Sequence, residues 1–324
     1  GGIMYGYEYT NHLILNEQMV NLWQEEDGKK VAEVWVLPGY GANLCRFKVD
    51  NIDYLYPAPQ KLVDIRHYGT PVLYPTPGIV RGEKFTFDGS LYRFPANRGS
   101  IFRHGFAMGQ KFLFSEPIVS EDGVTLKTSL GIFRDHPLYY LFPIANRLDI
   151  DFTLKNRSVR IDITVTDLDT QKRFPFGFGL HPYFNLIGPR EENLIQVPVK
   201  KWLDQAENQL IDPNDSPIDF RSPTTVPETA IDEVWTGLTS EASPSIIYQS
   251  VGKRLVLHAT DDFTHFVTYA PENAPYVCLE NWTCSPDAHN LYAGEKNDVA
   301  HLLILNPGEV FTGSVQFSIE PLNN

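Results

Sequence analysis

Residues 174–186 read FPFGFGLHPYFNL, and large apolar residues alternate there with proline, glycine and histidine. Because successive side chains of a β-strand point to opposite faces, this stretch predicts a strand with one apolar face and one face of glycine followed by His181. Glycines inside a strand suit a surface kept low for a ligand, or for a backbone that passes close by. His181 is therefore a candidate for chemistry in a shallow site on a sheet. A hydrogen-bonded, partly buried structural histidine is the alternative.

Other segments combine strand-forming residues with tight-turn signals. Strands are predicted at residues 31–37, 44–49, 52–56, 83–87, 90–94, 124–133, 148–154, 159–165, 255–259, 266–270, 276–280, 302–305 and 315–319. Tight turns are predicted at Asp50-Asn51, Asp88-Gly89 and Asn156-Arg157. Many short strands with turns between them favour an all-β fold, a large antiparallel β-sandwich.

Two segments interrupt this pattern. A short helix is predicted near residues 17–24, and residues 191–240 are rich in proline, asparagine and aspartate. Within the second segment, residues 212–228, DPNDSPIDFRSPTTVPE, come closest to a structureless loop. Because strands on both sides of residue 190 lack an obvious linker between them, we expect one domain over residues 1–324 rather than two.

The charge balance narrows the class of partner. The chain has 27 Lys and Arg against 40 Asp and Glu, a formal net charge of −13. This charge disfavours nucleic acid or an anionic membrane surface and favours a neutral or cationic small ligand. No apolar stretch approaches the length needed to span a bilayer. Three cysteines cannot all pair, which indicates a reducing compartment, and we expect the protein in the cytoplasm.

Motifs for nucleotides and metals are missing from the sequence. Phosphate-loop, dinucleotide-binding, H-E-x-x-H and paired C-x-x-C patterns do not occur. The nine histidines do not cluster at metal-ligand spacing along the chain. We therefore expect neither a metal nor a cofactor, and a metal held by residues from distant strands stays open.

Two loop-like stretches carry candidate polar residues. In residues 98–107, RGSIFRHGFA, His104 follows a predicted hairpin, and an ordinary loop histidine is the alternative. In residues 231–238, IDEVWTGL, the acidic residues Asp232 and Glu233 lie at the edge of an apolar run. Helix capping or plain solvation is the commoner explanation for such a pair.

A third stretch offers a carboxylate in apolar surroundings. A strand through residues 276–282, YVCLENW, places Cys278, Glu280 and Trp282 on one face. Burial there raises the pKa of Glu280 and makes it a plausible general base. A structural carboxylate that accepts backbone hydrogen bonds is an equal rival.

Taken in order, these stretches resemble the aldose 1-epimerase (galactose mutarotase) family over residues 31–319. The motifs that carry the resemblance are PGYGANLCRF, KFTFDGSLYRFPANRG, HGFA, GLHPYFNL, DEVWTGL and CLENWTCSPDAHN. The resemblance implies a large antiparallel β-sandwich that interconverts the α and β anomers of a small aldose. It also implies that Glu280 is the general base and His181 the general acid. His104 would bind near the ring oxygen and Asp232 would hold sugar hydroxyls, with neither metal nor nucleotide, in a monomer or homodimer.

The chain departs from the family pattern at one sugar-binding position. Family members commonly carry an asparagine-arginine pair before the G-K-F-x-x-x-G hairpin, and this chain has Gly78 and Ile79 there. Arg81, two residues further on, and Arg103, beside His104, are the candidate substitutes.

A second departure bears on the substrate. In the hexose-6-phosphate 1-epimerase branch, a motif that resembles HGFA is followed by arginine, which is suited to binding phosphate. This chain has Met108 at that position. This difference favours an unphosphorylated aldose, although Lys111, Arg66 or Arg98 could supply positive charge. The alternatives are a hexose-6-phosphate 1-epimerase, a non-catalytic carbohydrate-binding or regulatory protein, and a glycosidase that pairs Asp232 with Glu280.

Overall fold

The computed structural model describes residues 2–12, 14–57 and 68–322, and about half of them lie in β-strands. The strands are β1 (Ile3–Asn11), β2 (Gln18–Glu26), β3 (Lys29–Leu37), β4 (Asn43–Val49), β5 (Ile52–Asp53), β6 (Val72–Leu73), β7 (Ile79–Val80), β8 (Lys84–Phe87), β9 (Ser90–Arg93), β10 (Phe102–Arg103), β11 (Leu113–Phe114), β12 (Ile118–Ser120), β13 (Gly123–Ile132), β14 (Asn146–Lys155), β15 (Ser158–Asp167), β16 (Phe174–Phe176), β17 (Gly179–Leu180), β18 (Tyr183–Asn185), β19 (Asn193–Gln196), β20 (Lys201–Asp204), β21 (Gln209–Ile211), β22 (Thr224–Thr225), β23 (Ile231–Thr236), β24 (Ser245–Tyr248), β25 (Lys253–Ala259), β26 (His265–Ala270), β27 (Tyr276–Trp282), β28 (Leu303–Leu305) and β29 (Val310–Pro321). The helices in the described part are α1 (Ala288–Ala293) and α2 (Asn297–Ala300). Neither is long and apolar enough to cross a bilayer.

Three large antiparallel sheets make up most of this all-β fold, as predicted. A ten-stranded sheet has the order β11-β13-β14-β15-β29-β25-β24-β19-β22, with β12 beside β13. An eight-stranded sheet has the order β21-β20-β23-β26-β27-β17-β6, with β18 beside β27. The third sheet is five-stranded, in the order β1-β2-β3-β4-β5.

The main core lies between these sheets and is rich in aromatic rings. Phe317 of the ten-stranded sheet contacts Phe184 of the eight-stranded sheet, with ring centroids 5.3 Å apart. Phe317 also contacts Phe47 of the five-stranded sheet at 6.4 Å. Each fully buried apolar side chain of this size stabilises the fold by about 1.5–3 kcal/mol relative to an exposed one. The predicted strands thus bury one face each in a shared core.

Strand β27 separates this core from the opposite side of the eight-stranded sheet. Val277 and Leu279 point into the main core and are fully buried. Trp282 points the other way and packs in a second apolar cluster with Leu291 of α1 and Val299 of α2. The sheet therefore has one face for packing and one face that helices cover only in part.

The predicted tight turns are confirmed. Asp88-Gly89 joins β8 to β9 with Phe87 opposite Ser90, and both turn residues have positive φ. Such a two-residue loop requires φ above zero at both positions, which aspartate, asparagine and glycine tolerate best. The same conformation occurs at Asp50-Asn51 and Asn156-Arg157.

The helix predicted near residues 17–24 is wrong, because this segment forms strand β2. Strand β2 pairs with β1 on one side and β3 on the other. Val20, Leu22 and Gln24 are fully buried at a period of two. Pairing on both edges and burial of this face override the weak helical preference of the local sequence.

The prediction for residues 212–228 is largely confirmed, since β22 is the one strand there, but strands flank this stretch on both sides within residues 191–240. This segment contributes β19 and β22 to the ten-stranded sheet and β20, β21 and β23 to the eight-stranded sheet. Both large sheets thus contain strands from before and after residue 190. The single domain stays a prediction that this arrangement does not contradict.

The stretch 174–186 forms three short strands, β16, β17 and β18, rather than one. The apolar alternation holds, since the phenylalanines from position 174 to 178 are fully buried. The glycine face is not open to a ligand. A Cβ atom built on Gly179 would lie 2.8 Å from the Trp282 ring, and one built on Gly177 would lie 2.3 Å from Cys284 Sγ. The predicted ligand surface is therefore wrong, and the predicted close approach is correct only in part, since side chains rather than a backbone lie against the two glycines.

Candidate active site

Strand register brings distant polar residues side by side on the outer face of the eight-stranded sheet. Asp232 of β23 lies opposite Tyr269 of β26, and Tyr269 lies opposite Cys278 of β27. Tyr183 of β18 completes this row opposite Cys278. Directly opposite residues share a face, with Cβ atoms about 4.5–5.5 Å apart. Four residues from four strands therefore form one continuous polar row.

The next row along the same face carries the candidate base. Val234, Val267 and Glu280 lie opposite one another on β23, β26 and β27. His181 directly follows β17, which pairs with β27 through Gly179 and Trp282. We call the cavity-facing side chains of these strands the sheet wall. Its members are Asp232, Val234, Val267, Tyr269, Glu280 and Trp282.

A second wall comes from short, irregular segments. In the pair β7–β10, Arg103 lies directly opposite Ile79. The backbone then turns sharply at His104, whose φ is +66° and whose N–H donates to the Gly78 carbonyl at 2.8 Å. We call this side the loop wall. Its members are Gly78, Ile79, Arg98, Arg103 and His104.

The two walls enclose a polar cavity of about 220 Å³. His181 and Tyr183 line it where the walls meet, and Gln205 and Pro286 complete it. The structure thus brings together four of the predicted site residues that lie far apart in the sequence. They are His104, His181, Asp232 and Glu280.

Glu280 and His181 form a close pair at the bottom of the cavity. His181 Nε2 lies 3.4 Å from Glu280 Oε2, and the side chains are only 10% and 1% exposed. Trp282 Nε1 donates to the other carboxylate oxygen at 3.0 Å. Burial raises the pKa of Glu280 well above its usual value, against the opposing hydrogen bond from Trp282, and the charge of Asp232 raises it further. A carboxylate held in this way is a strong base beside a proton carrier.

His104 is held in one orientation by the loop wall. Its Nδ1 accepts the backbone N–H of Gly78 at 3.0 Å. A neutral imidazole whose Nδ1 accepts carries its hydrogen on Nε2. His104 can therefore donate to a ligand oxygen in the cavity.

Asp232 and Arg103 face each other across the cavity. The Asp232 residue is exposed to solvent, but nearby protein partly buries its carboxyl group. This burial raises the pKa of Asp232, and the positive charge of Arg103 opposes the rise. The Nε of Arg103 is buried and has no hydrogen-bond partner among the residues that the structure describes. A buried donor of this kind carries a desolvation cost of about 1–3 kcal/mol, which a ligand hydroxyl would relieve.

Arg81, the other candidate substitute for the missing arginine, does not line the cavity. Its Nε lies 3.6 Å from Asp287 Oδ2, and its side chain is 55% exposed. Of the other cations considered, Arg98 lies on the loop wall, Lys111 lines neither described cavity, and Arg66 lies outside the described residues.

Sequence reasoning missed several cavity residues, most clearly Tyr269, Val267 and Gln205. Alternation within residues 266–270 does put Val267 and Tyr269 on one face. It does not tell which strand lies beside β26, and the pairing with β23 is set by the tertiary fold. Gln205 follows β20 and had no local signal. Val234 and Val267, rather than glycines, form the apolar part of the cavity floor.

A larger cavity of about 480 Å³ adjoins the first. It shares Arg98, Arg103, His104, His181 and Tyr183 with the first cavity. Its remaining lining includes Pro71, Phe106, Met108 and Leu141, and no carboxylate among the described residues lines it. The site is therefore acidic at the sheet wall and cationic at the loop wall, where Arg98 and Arg103 border both cavities.

An antiparallel sandwich of this kind with a polar cavity on its outer sheet face defines a galactose mutarotase-like protein. The sequence profile of the aldose 1-epimerase family matches residues 30–318, and the chain belongs to that family.

Relatives agree with this assignment. The chain is 27% identical over 259 residues to the chromosomal protein LacX of Lactococcus lactis subsp. lactis, which covers 72% of this chain and 79% of that protein. The plasmid form of LacX matches to the same extent.

Solved structures share the fold. A galactose mutarotase-like protein from Clostridium acetobutylicum superposes with a TM-score of 0.88 at 16% identity, over 98% of this chain and 99% of that one. A galactose 1-epimerase from Lactobacillus acidophilus NCFM superposes with a TM-score of 0.76 at 16% identity, over 99% and 100% of the two chains. A putative aldose 1-epimerase from Escherichia coli K12 gives 0.74 at 18% identity, over 98% and 100%.

Proposed function

We propose that this protein is an aldose 1-epimerase that interconverts the α and β anomers of an unphosphorylated hexose. The observation that carries the proposal is the pair of Glu280 and His181, 3.4 Å apart at the bottom of one polar cavity. Mutarotation needs one group that takes a proton from O1 and one that gives a proton to the ring oxygen O5. This pair supplies both groups, close enough together to serve O1 and O5, which are bonded to the same sugar carbon, C1.

The reaction opens the ring and closes it again. Glu280 as carboxylate takes the O1 proton while His181 as imidazolium protonates O5, so the C1–O5 bond breaks and C1 becomes a carbonyl carbon. Rotation about C1–C2 presents the other face of the carbonyl. The two residues then reverse roles, because His181 retakes the proton from O5 and Glu280 returns one to O1. No net proton is gained or lost.

The remaining candidate residues hold the sugar. His104 donates from Nε2 to an oxygen near the ring, as its hydrogen bond to Gly78 dictates. Asp232 accepts from sugar hydroxyls, and Arg103 donates to a hydroxyl from the opposite wall. We assign to Arg103 the part played by the arginine that is missing at Ile79, since the two positions lie directly across one strand pair.

Polarimetry tests the activity. Freshly dissolved α-D-glucose and α-D-galactose should reach their equilibrium rotation faster with the protein than in buffer alone. No acceleration with any common aldose would overturn the proposal, and sugar binding by calorimetry without acceleration would favour the binding protein. Release of reducing sugar from a glycoside would favour a glycosidase that uses Asp232 and Glu280.

A hexose 6-phosphate is the second candidate substrate. Arg98 and Arg103 border the adjoining cavity, which has no carboxylate in its described lining, and guanidinium groups suit phosphate. A higher kcat/KM for glucose 6-phosphate than for glucose would select this substrate.

We also expect the protein in the cytoplasm, since all three cysteines are free and buried.

A further inference from the structure

Three buried side chains, of types that can bind a metal, cluster beside the cavity, and two of them, His181 and Glu280, line it. One ligand atom each of His181, Cys278 and Glu280 lies within 4.8 Å of the other two, and all three residues are buried. Cys278 and Glu280 share a face of β27, while His181 comes from the neighbouring strand region almost a hundred residues earlier. Spacing along the chain could not reveal this cluster.

We propose that His181, Cys278 and Glu280 bind a thiophilic divalent cation such as Zn²⁺, and that the bound cation switches off the acid-base pair. Imidazole nitrogen, thiolate sulfur and carboxylate oxygen are the ligands that zinc takes in proteins. The thiolate argues against Mg²⁺ and Ca²⁺, which prefer oxygen ligands only.

The geometry is close to a zinc site before any metal enters. Zinc bonds of about 2.0–2.3 Å place neighbouring tetrahedral ligands about 3.3–3.8 Å apart. The 3.4 Å between His181 Nε2 and Glu280 Oε2 already falls in this range. No two of the ligand atoms are more than 4.8 Å apart, so the widest separation must shrink by at most about 1 Å, which side-chain rotation can supply. Because His181 and Glu280 line the cavity, a fourth position faces it and would hold water.

The local charges favour a cation. Glu280 and Asp232 both line this cavity, and their carboxylates attract a cation. Binding of Zn²⁺ releases the thiol proton and any proton held by the carboxyl group to solvent. The incoming double positive charge then compensates the thiolate and the carboxylate.

Bound zinc should inhibit mutarotation because it occupies the two groups that transfer protons. The carboxylate oxygen that takes the O1 proton and the imidazole nitrogen that serves O5 are both metal ligands in the zinc-bound state. Zinc should therefore abolish mutarotation and compete with the sugar. This consequence rests on the proposed function, whereas the binding of zinc does not.

Calorimetric titration with Zn²⁺ measures the site directly, whether or not the protein is an enzyme. We expect one Zn²⁺ per chain in the wild type and an affinity at least about tenfold weaker in Cys278→Ala, because even the loss of an outer partner of a metal ligand costs about 10–100-fold. Cys284→Ala is the matched control, since Cys284 is equally buried but outside the cluster. Equal affinities in all three proteins would overturn the proposal.

Co²⁺ gives an independent readout of the sulfur ligand. The Co²⁺ complex of the wild type and of Cys284→Ala should show a thiolate-to-metal charge-transfer band in the near ultraviolet, and that of Cys278→Ser should lack it. A wild-type complex without the band would refute coordination by Cys278. Thermal unfolding without metal checks that each variant is folded, and added Zn²⁺ should raise the midpoint of the wild type but not of Cys278→Ala.

The inhibition arm uses the same three proteins. Zn²⁺ should slow mutarotation by the wild type and Cys284→Ala, with reversal by a chelator and relief at high sugar concentration. Cys278→Ala should keep its activity at the same Zn²⁺ concentration. Zinc that binds at the cluster without inhibition would overturn the switch, and absence of mutarotation would instead count against the proposed function.

Discussion

The two walls of the cavity differ in how they are built. The sheet wall comes from β23, β26 and β27, whose pairing fixes each side chain through several consecutive rungs. The loop wall comes from the two-residue strands β7 and β10 and from a histidine with positive φ. A long ladder holds position more tightly than a short one, because each rung restrains its neighbours.

The difference suggests a division of work between the walls. Glu280 lies on the sheet wall, and its partner His181 lies where the walls meet. Acid-base transfer needs fixed geometry, since small displacements of reacting groups are costly. In the proposed function, Arg103, Arg98 and His104 on the loop wall make contacts that can differ between substrates. We therefore expect changes in the sheet wall to affect turnover and changes in the loop wall to affect substrate binding.

Removal of the acid-base pair gives the largest expected effect. Glu280→Gln and His181→Asn should each lower kcat by about 10² or more, because each removes one proton transfer and keeps a similar shape. Stopped-flow or polarimetric mutarotation rates measure this. Near-normal turnover in either variant would refute the role of that residue, and circular dichroism checks that the fold is intact.

A change on the reverse side of the sheet wall should act on stability instead. Leu279 is adjacent to Glu280 on β27 but points into the main core and is fully buried. Leu279→Ala should lower the free energy of unfolding by about 2–5 kcal/mol. Denaturant titration measures the loss. The kcat of the folded variant should stay within a few-fold of the wild type, and a fall as large as that of Glu280→Gln would contradict the separation of the two faces.

The same two walls explain what the sequence could predict. Period-two alternation identified β27 and put Cys278, Glu280 and Trp282 on one face, and the turn dipeptides located the hairpins. These features depend on local residues only. The partner strands of β27, and so the neighbours Tyr269 and Val267, depend on contacts between distant segments. Family motifs marked His104, but that Arg103 and not Arg81 reaches the cavity follows from the pairing of β7 with β10.

A substitution at Arg103 tests whether the loop wall contributes to substrate binding. Arg103→Ile should raise KM by roughly 10–100-fold with a smaller change in kcat, because a hydrogen bond from a charged group contributes about 1.5–3 kcal/mol and is made before and during the reaction. Initial rates over a range of sugar concentrations separate the two constants. Arg81→Ile, outside the cavity, is the control and should leave KM unchanged.

A double variant that moves the arginine to the paired strand tests the same contact more directly. The double variant Ile79→Arg with Arg103→Ile moves the guanidinium to the directly opposite position, about 5 Å away at Cβ. It should recover most of the lost affinity if the arginine acts by contact with the sugar. A double variant no better than Arg103→Ile alone would show that the role of Arg103 depends on its own position in the loop wall.

A final prediction concerns stability against pH, and it again isolates Glu280. Burial raises the pKa of Glu280 above that of the unfolded chain, so above about pH 4.3 the folded protein keeps a proton that the unfolded chain has released. The free energy of unfolding must then fall as pH rises towards the folded pKa, by at most about 1.4 kcal/mol per pH unit for one proton. Glutamine mimics the protonated acid, so Glu280→Gln should lack this fall and become more stable than the wild type as pH rises. Asp167, whose pKa is raised to about 6 by burial, contributes equally to both proteins and cancels in the difference. Denaturant titrations between pH 5 and 8 decide the matter, since parallel curves for the two proteins would mean that the carboxylate of Glu280 is as well accommodated in the fold as in water.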